Sequence, residues 1–222
     1  MRLFDLIPMD GQVLRSTRSS LEKTSNDQLR KFEGYVTEIF TALGMDMDSA
    51  EIKELPLRFV RALFDATRGF ESGPHALRRL ETECQSGPAC HETHVMEGPI
   101  HFLSLCERHS FPLFGHAYVG YIAHEKIMGI CRLTQLVQLL TLRFLGQEII
   151  RQQIADTLET LLQPHGVAVY LETDHPCAHT QGLRQPASHT MVWRGHYSLN
   201  PALQTEFLNA CGLEHQNYLP RS

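Results

Sequence analysis

The spacing of apolar residues changes character about halfway along the chain. In SNDQLRKFEGYVTEIFTALGM, residues Leu29, Phe32, Tyr35, Val36, Ile39, Phe40 and Leu43 recur at helical intervals. Ser25 suits the N-cap of that helix and Gly44 its stop. A second helix opens near Pro56, because proline is tolerated in a first turn. It presents Phe59, Val60, Leu63 and Phe64 and ends near Gly69. Residues 1–24 show no strong periodicity and read as an arm. Residues 70–98 carry Gly, Pro, Ser and charges, and read as loop.

Further on, short β-type runs appear. Residues 100–106 (IHFLSLC) and 114–123 (FGHAYVGYIA) read as strands, the second rich in aromatic and β-branched residues. Residues 132–162 return to helical spacing, through Leu133, Leu136, Val137 and Leu140 to Ile149, Ile150, Ile154, Leu158, Leu161 and Leu162. Gly146 divides this run into two helices, and Pro164 with Gly166 ends it. GVAVYLETDH is then a strand, and residues 188–197 form a last one. The predicted order is β-β-α-α-β-β behind a helical region, an α+β fold.

Composition narrows the field. A chain of 222 residues with 42% hydrophobic content can bury one large domain with an extra arm. A formal charge of −5 argues against a general nucleic-acid partner, though it leaves room for a local basic pocket. Six scattered cysteines suggest no disulfide framework. The N-terminus carries Asp5 and no sustained apolar core, so no signal peptide is expected. No stretch is long enough to span a bilayer. These features predict a soluble protein of the reduced cytoplasm, with neither a nucleic acid nor a membrane as partner.

The candidate chemistry lies in two distant segments. Cys106 and His109 stand three residues apart in SLCERHSFPLFG, and His175 and Cys177 follow in ETDHPCAHTQG. Thiolates and imidazoles are zinc ligands, and three protein ligands with one open position make a catalytic rather than a structural layout. H-x-C is too tight for both residues to reach one metal comfortably, which leaves one of that pair for acid/base work. A lone C-x-x-H is a weak signal, since cysteine is common in ordinary cores. The second such segment downstream is what gives it weight.

Further landmarks carry a family likeness. From about residue 26 to 213 the chain resembles GTP cyclohydrolase I. The likeness rests on Cys106-Glu107-Arg108-His109 followed by Phe111, Pro112, Phe114 and Gly115, and on Val119-Gly120-Tyr121-Ile122-Ala123. It continues through Gly129-Ile130-Cys131-Arg132, Gln147-Glu148-Ile149-Ile150, Gln153-Ile154-Ala155, Pro164-His165-Gly166-Val167-Ala168-Val169 and His175-Pro176-Cys177, with Leu55-Pro56-Leu57-Arg58 upstream. The resemblance implies a tunnelling fold, an antiparallel sheet with two helices on one face. Its divisions would be an arm at 1–24, a helical region and loop at 25–98, a catalytic domain at 99–213 and a tail at 214–222. It implies toroidal homo-oligomers, commonly decamers, with active sites at subunit boundaries. It implies zinc on Cys106, His109 and Cys177, and His175 as the proton carrier. Substrate contacts would fall at Glu148, which matches the residue binding the guanine edge, and at Gln147, Arg132, Cys131 and Arg58. The implied reaction opens the guanine imidazole ring of GTP at C8, releases formate and closes to dihydroneopterin triphosphate, a step of folate and pterin biosynthesis.

The departures fall at the chemistry. Arg108 replaces a catalytic histidine, and arginine stays protonated and cannot shuttle protons. Gln135 and Gln181 replace phosphate-binding arginines, and Cys131 and Arg132 replace a serine and a lysine. Arg108, Arg143 and Arg184 are candidates to compensate, and His179, two residues past Cys177, is a candidate for the lost proton transfer. Besides the family reaction, the departures leave open a changed substrate or product: a ring-opened formamidopyrimidine, or a guanine nucleoside or monophosphate as substrate. They also leave open a silent purine- or pterin-binding protein. Retention of Cys106, His109, Cys177, His175 and Glu148 argues against the last of these.

Overall fold

The computed structural model describes residues 24–71, 82–83, 93–183 and 187–213. The expected arm up to residue 23, the tail at 214–222, Cys84, Cys90 and Arg184 lie outside the described residues. The chain divides into two compact units, Met1–Ser72 and Gly73–Ser222.

In the first unit, helix α1 (Asn26–Ala42) starts where the polar signal places it. Ser25 and Gln28 form a reciprocal capping box: Gln28 N donates to Ser25 Oγ at 3.2 Å, and Ser25 N to Gln28 Oε1 at 3.1 Å. The helix ends before Gly44, whose φ of 88° is left-handed. Helix α2 (Leu55–Ala66) has Pro56 in its first turn and is followed by a 3₁₀ turn at Arg68–Glu71. Phe32 packs on Phe64 at 6.1 Å between ring centroids, and Phe40 meets Phe59 edge-on at 5.7 Å. Val36 and Val60 are buried, but Tyr35, Ile39, Leu43, Phe59 and Leu63 stay exposed. The apolar stripe is therefore wider than the packing of α1 on α2 covers.

The second unit is built on a four-stranded antiparallel sheet. Strand β1 (Thr82–Glu83) pairs with β4 (Lys126–Ile127) as a separate ribbon. The main sheet runs in the order β2 (His94–Leu105), β3 (Pro112–Ile122), β5 (Gly166–Asp174), β6 (Ser188–Gly195). Helices α3 (Ile130–Thr141) and α4 (Gln147–Leu162) lie on one face. Leu133, Leu136, Val137, Ile150, Ile154 and Leu158 pack there against Val119, Tyr121, Val167, Val169 and Leu171. The helix division at Gly146 and the β-β-α-α-β-β order agree with the sequence pattern.

Three features differ from it. Strand β2 begins at His94, although residues 70–98 read as loop. Gly98 and Pro99 look like a break, but they are absorbed as an irregularity in pairing between Glu97 and Ile100. A short helix α5 (Pro176–Thr180) follows β5. The last strand stops at Gly195, not 197, and the chain continues as α6 (His196–Leu199) and α7 (Pro201–Ala210). Asn200 caps α7 by accepting from Ala202 N at 3.0 Å. These helices cover the second face of the sheet, where Tyr197 and Phe207 pack with Ile122, Ala168 and Tyr170. Gly120 makes that approach possible: a β-carbon there would lie 2.9 Å from the Phe207 ring.

Candidate metal centre

The antiparallel register gathers the candidate ligands. Leu105 pairs with Pro112 and Phe114 pairs with Asp174, so the end of β2, the start of β3 and the end of β5 share one end of the sheet. Cys106 and Cys177 follow the first and the third of these by one and three residues. The intervening loop folds back tightly. Cys106 N donates to Phe111 O at 2.8 Å and Ser110 N to Cys106 O at 2.7 Å, with Ser110 left-handed at φ 57°. His109 is thereby returned to Cys106, its Nδ1 standing 3.6 Å from Cys106 Sγ. On the other side Pro176 opens α5, and Cys177 sits in its first turn.

One ligand atom from each of Cys106, His109 and Cys177 lies within 4.8 Å of the other two. Both cysteines are buried, whereas His109 is exposed. Burial first, and then the adjacent Cys106 sulfur, push the Cys177 thiol above its ordinary range. Burial thus disfavours the Cys177 thiolate, and a divalent cation bound beside it reverses that preference. The donor set thus fits a soft or borderline divalent ion such as zinc, with three protein ligands.

His175 stands beside this cluster as the residue before α5. Its orientation comes from Gln147 at the start of α4, which is only 2% exposed. Gln147 Nε2 donates to Leu171 O at 3.3 Å and to Ser188 O at 3.0 Å. That leaves Gln147 Oε1 to accept from His175 Nε2 at 3.1 Å. In the neutral ring the lone pair is therefore on Nδ1. Burial lowers the His175 pKa, against a smaller opposite pull from Glu148 and Asp174. Gln147, expected at the substrate, has its amide occupied in holding α4, β5, β6 and His175 together.

Glu148 follows in the first turn of α4 and is exposed. A β-carbon on Gly146 would lie 3.4 Å from Glu148 Oε2 and 3.3 Å from Glu107 Oε1, so two carboxylates border this end of the helix. Glu107 was not singled out by sequence reasoning, although its place beside Cys106 was the available signal. Gln181, read only as a lost cation, has its Nε2 3.0 Å from His109 Nε2. Arg108 lies exposed in the ligand loop, as does His179 in α5. Arg143 is half-buried at the same end, where its carbonyl accepts from Leu105 N at 2.9 Å, and burial lowers its pKa.

Cys131 and Arg132 are elsewhere. They occupy the first turn of α3, which starts beyond the opposite end of β3. Leu145 N reaches Leu105 O at 3.0 Å, so it is the far end of α3 that meets the metal loop's strand. The 12 residues of α3 amount to about 18 Å of helix. Within one chain these two residues are not brought to the cysteines. Arg58 belongs to the other unit, where its Nη2 donates to Glu51 O at 3.4 Å.

An α+β chain with a Cys-His-Cys cage and an adjacent neutral histidine defines a protein with a candidate open metal centre. Comparison with known proteins gives the family. Residues 32–212 match the profile of GTP cyclohydrolase I, and the chain belongs to that family. Similar proteins include GTP cyclohydrolase 1 of Gloeobacter violaceus, 30% identical over 210 residues, covering 92% of this chain and 94% of that one. GTP cyclohydrolase 1 of Thermobifida fusca is 34% identical over 178 residues, covering 79% and 83%. That of Saccharomyces cerevisiae is 28% identical over 180 residues, covering 80% and 72%.

Proposed function

We propose that this protein is a zinc-dependent hydrolase that opens the imidazole ring of GTP at C8, releases formate and yields dihydroneopterin triphosphate. The observation that carries this reading is the Cys106–His109–Cys177 cluster with His175 held beside it by Gln147. When bound, zinc supplies a Lewis acid that makes hydroxide available near neutral pH. The remaining work belongs to the chain. His175, kept neutral by burial, accepts a proton at Nδ1 and returns it to the opening ring. Glu148 accepts hydrogen bonds from guanine N1–H and the 2-amino group, for which a carboxylate is the natural partner.

The fold reads as the tunnelling type, and the protein acts as a homo-oligomer. Two observations support this. Exposed Tyr35, Ile39, Leu43, Phe59 and Leu63 leave apolar surface for another copy to cover. Cys131 and Arg132, remote from the metal cage of their own chain, become useful when a neighbouring copy places them at its substrate. Arg58 and Arg132 then face the phosphates, and a decamer is the ring size the family resemblance implies. His179 assists proton transfer near the metal.

A second reading is favoured by Gln135 and Gln181. Both are neutral where the resemblance implies arginines, and the Gln135 Oε1 is buried with no hydrogen-bond partner. That pattern suits a guanine nucleoside or monophosphate, or a reaction stopping at the formamidopyrimidine. Formate release and product mass, measured for the zinc-loaded protein with GTP, guanosine monophosphate and guanosine, test both. Fastest release from GTP supports the first reading. Release from the smaller substrates alone, or a ring-opened product that keeps its formyl group, supports the second.

A further inference from the structure

Gln181 closes α5, its backbone N–H donating to Ala178 O at 3.1 Å. The same helix carries Cys177 in its first turn. The Gln181 side chain reaches across 72 positions of sequence to the His109 ring, where its amide nitrogen Nε2 stands 3.0 Å from His109 Nε2 and, as placed, donates to it. The other ring nitrogen, Nδ1, is the one that faces Cys106 Sγ, at 3.6 Å. The two nitrogens of His109 are thus divided: Nδ1 toward the cysteines and Nε2 toward Gln181.

We propose that Gln181 is a positioning residue of the metal centre: with its amide turned by a half-turn, its Oε1 accepts the Nε2–H of His109 and holds Nδ1 toward the ion between Cys106 and Cys177. This rests on the zinc-site reading above. A histidine that gives one nitrogen to a metal carries its proton on the other, and that N–H needs an acceptor. A glutamine amide presents either an N–H or a carbonyl oxygen to the same place by a half-turn, so Gln181 meets both tautomers. Arginine has five donors and no acceptor, so it could not serve there. The change from the family's arginine therefore replaces a cation with an acceptor. It also joins the two ligand-bearing segments before any ion arrives: the loop with Cys106 and His109, and the helix with Cys177.

The test is zinc affinity, measured by competition with a chromophoric chelator on the full chain. Gln181→Leu keeps the size and removes the acceptor. Gln181→Glu keeps the acceptor and the reach. Partners of this kind contribute about 10- to 100-fold to metal affinity, and Q181L should bind zinc more weakly by that factor. Q181E should recover most of the loss. Thermal melting of the metal-free variants checks the fold, and both should melt with the wild type. Q181L binding zinc as tightly as wild type overturns the positioning role and leaves the zinc site standing. Equal weakening in Q181E and Q181L also overturns it, since the acceptor would not matter. A wild-type chain that takes up no zinc overturns the role and the zinc reading together.

Discussion

The two ends of the main sheet differ in how much chemistry one chain completes. At one end, β2, β3 and β5 deliver Cys106, His109, Cys177 and His175 to a single place, and Gln147 locks the arrangement from α4. At the other end α3 begins with exposed Cys131 and Arg132, with about 18 Å of helix between them and the cysteines. Metal ligation needs atoms within bonding distance, which local backbone geometry supplies. Charge on a substrate can be met by whatever surface a second copy brings. Under the proposed homo-oligomer, each chain would own its metal end and lend its cation end.

Breaking the metal end should have the largest effect. Cys106→Ser or Cys177→Ser should lose zinc, and formate release should fall by about a thousandfold or more, since the ion accounts for several kcal/mol of the barrier. Metal analysis alongside the formate assay checks both parts. Next comes the proton carrier. His175→Ala should retain zinc but lose about 10²- to 10⁴-fold in turnover. Zinc lost together with activity would make His175 part of the cage instead.

Damage at the other end should be smaller and should appear in binding. Arg132→Ala removes one charged contact, about 1.5–3 kcal/mol, and should raise KM by roughly 10- to 100-fold. Mixing subunits sharpens the contrast. Co-assembled C177S and R132A chains should regain activity, at about a quarter of the wild-type sites, if each site draws its two ends from different copies of a ring. No recovery, in assemblies shown to be mixed, would mean that the ends are not shared. Cys131→Ser should change least, because a hydroxyl of similar size takes the thiol's place. A large loss there would show that the thiol itself is used.

The two ends also differed in how far the sequence revealed them. Helical periodicity located α3 and α4, and Ser25 marked the start of α1, because these signals are local. The metal cage was legible as ligand types in two segments, but its closure depends on the pairing of β3 with β5, which no local signal encodes. Gln147 was read as a substrate contact. Its burial against Leu171 and Ser188 is a tertiary fact that its position at a helix start does not disclose. Gln181 was likewise visible only as a missing charge until its contact with His109 was seen. The missed early part of β2 reflects Gly98 and Pro99, residues that punctuate loops but are also tolerated where strand pairing is irregular. The helices after Gly195 were missed although Asn200 and Pro201 make an ordinary helix start.

X-ray absorption at the zinc edge of the wild-type protein, loaded with one equivalent of zinc, tests the metal end most directly. The account predicts two sulfur donors at about 2.3 Å and nitrogen or oxygen donors at about 2.0–2.1 Å, one of them exchangeable. A zinc shell without sulfur, or one closed by four fixed protein ligands, would contradict it.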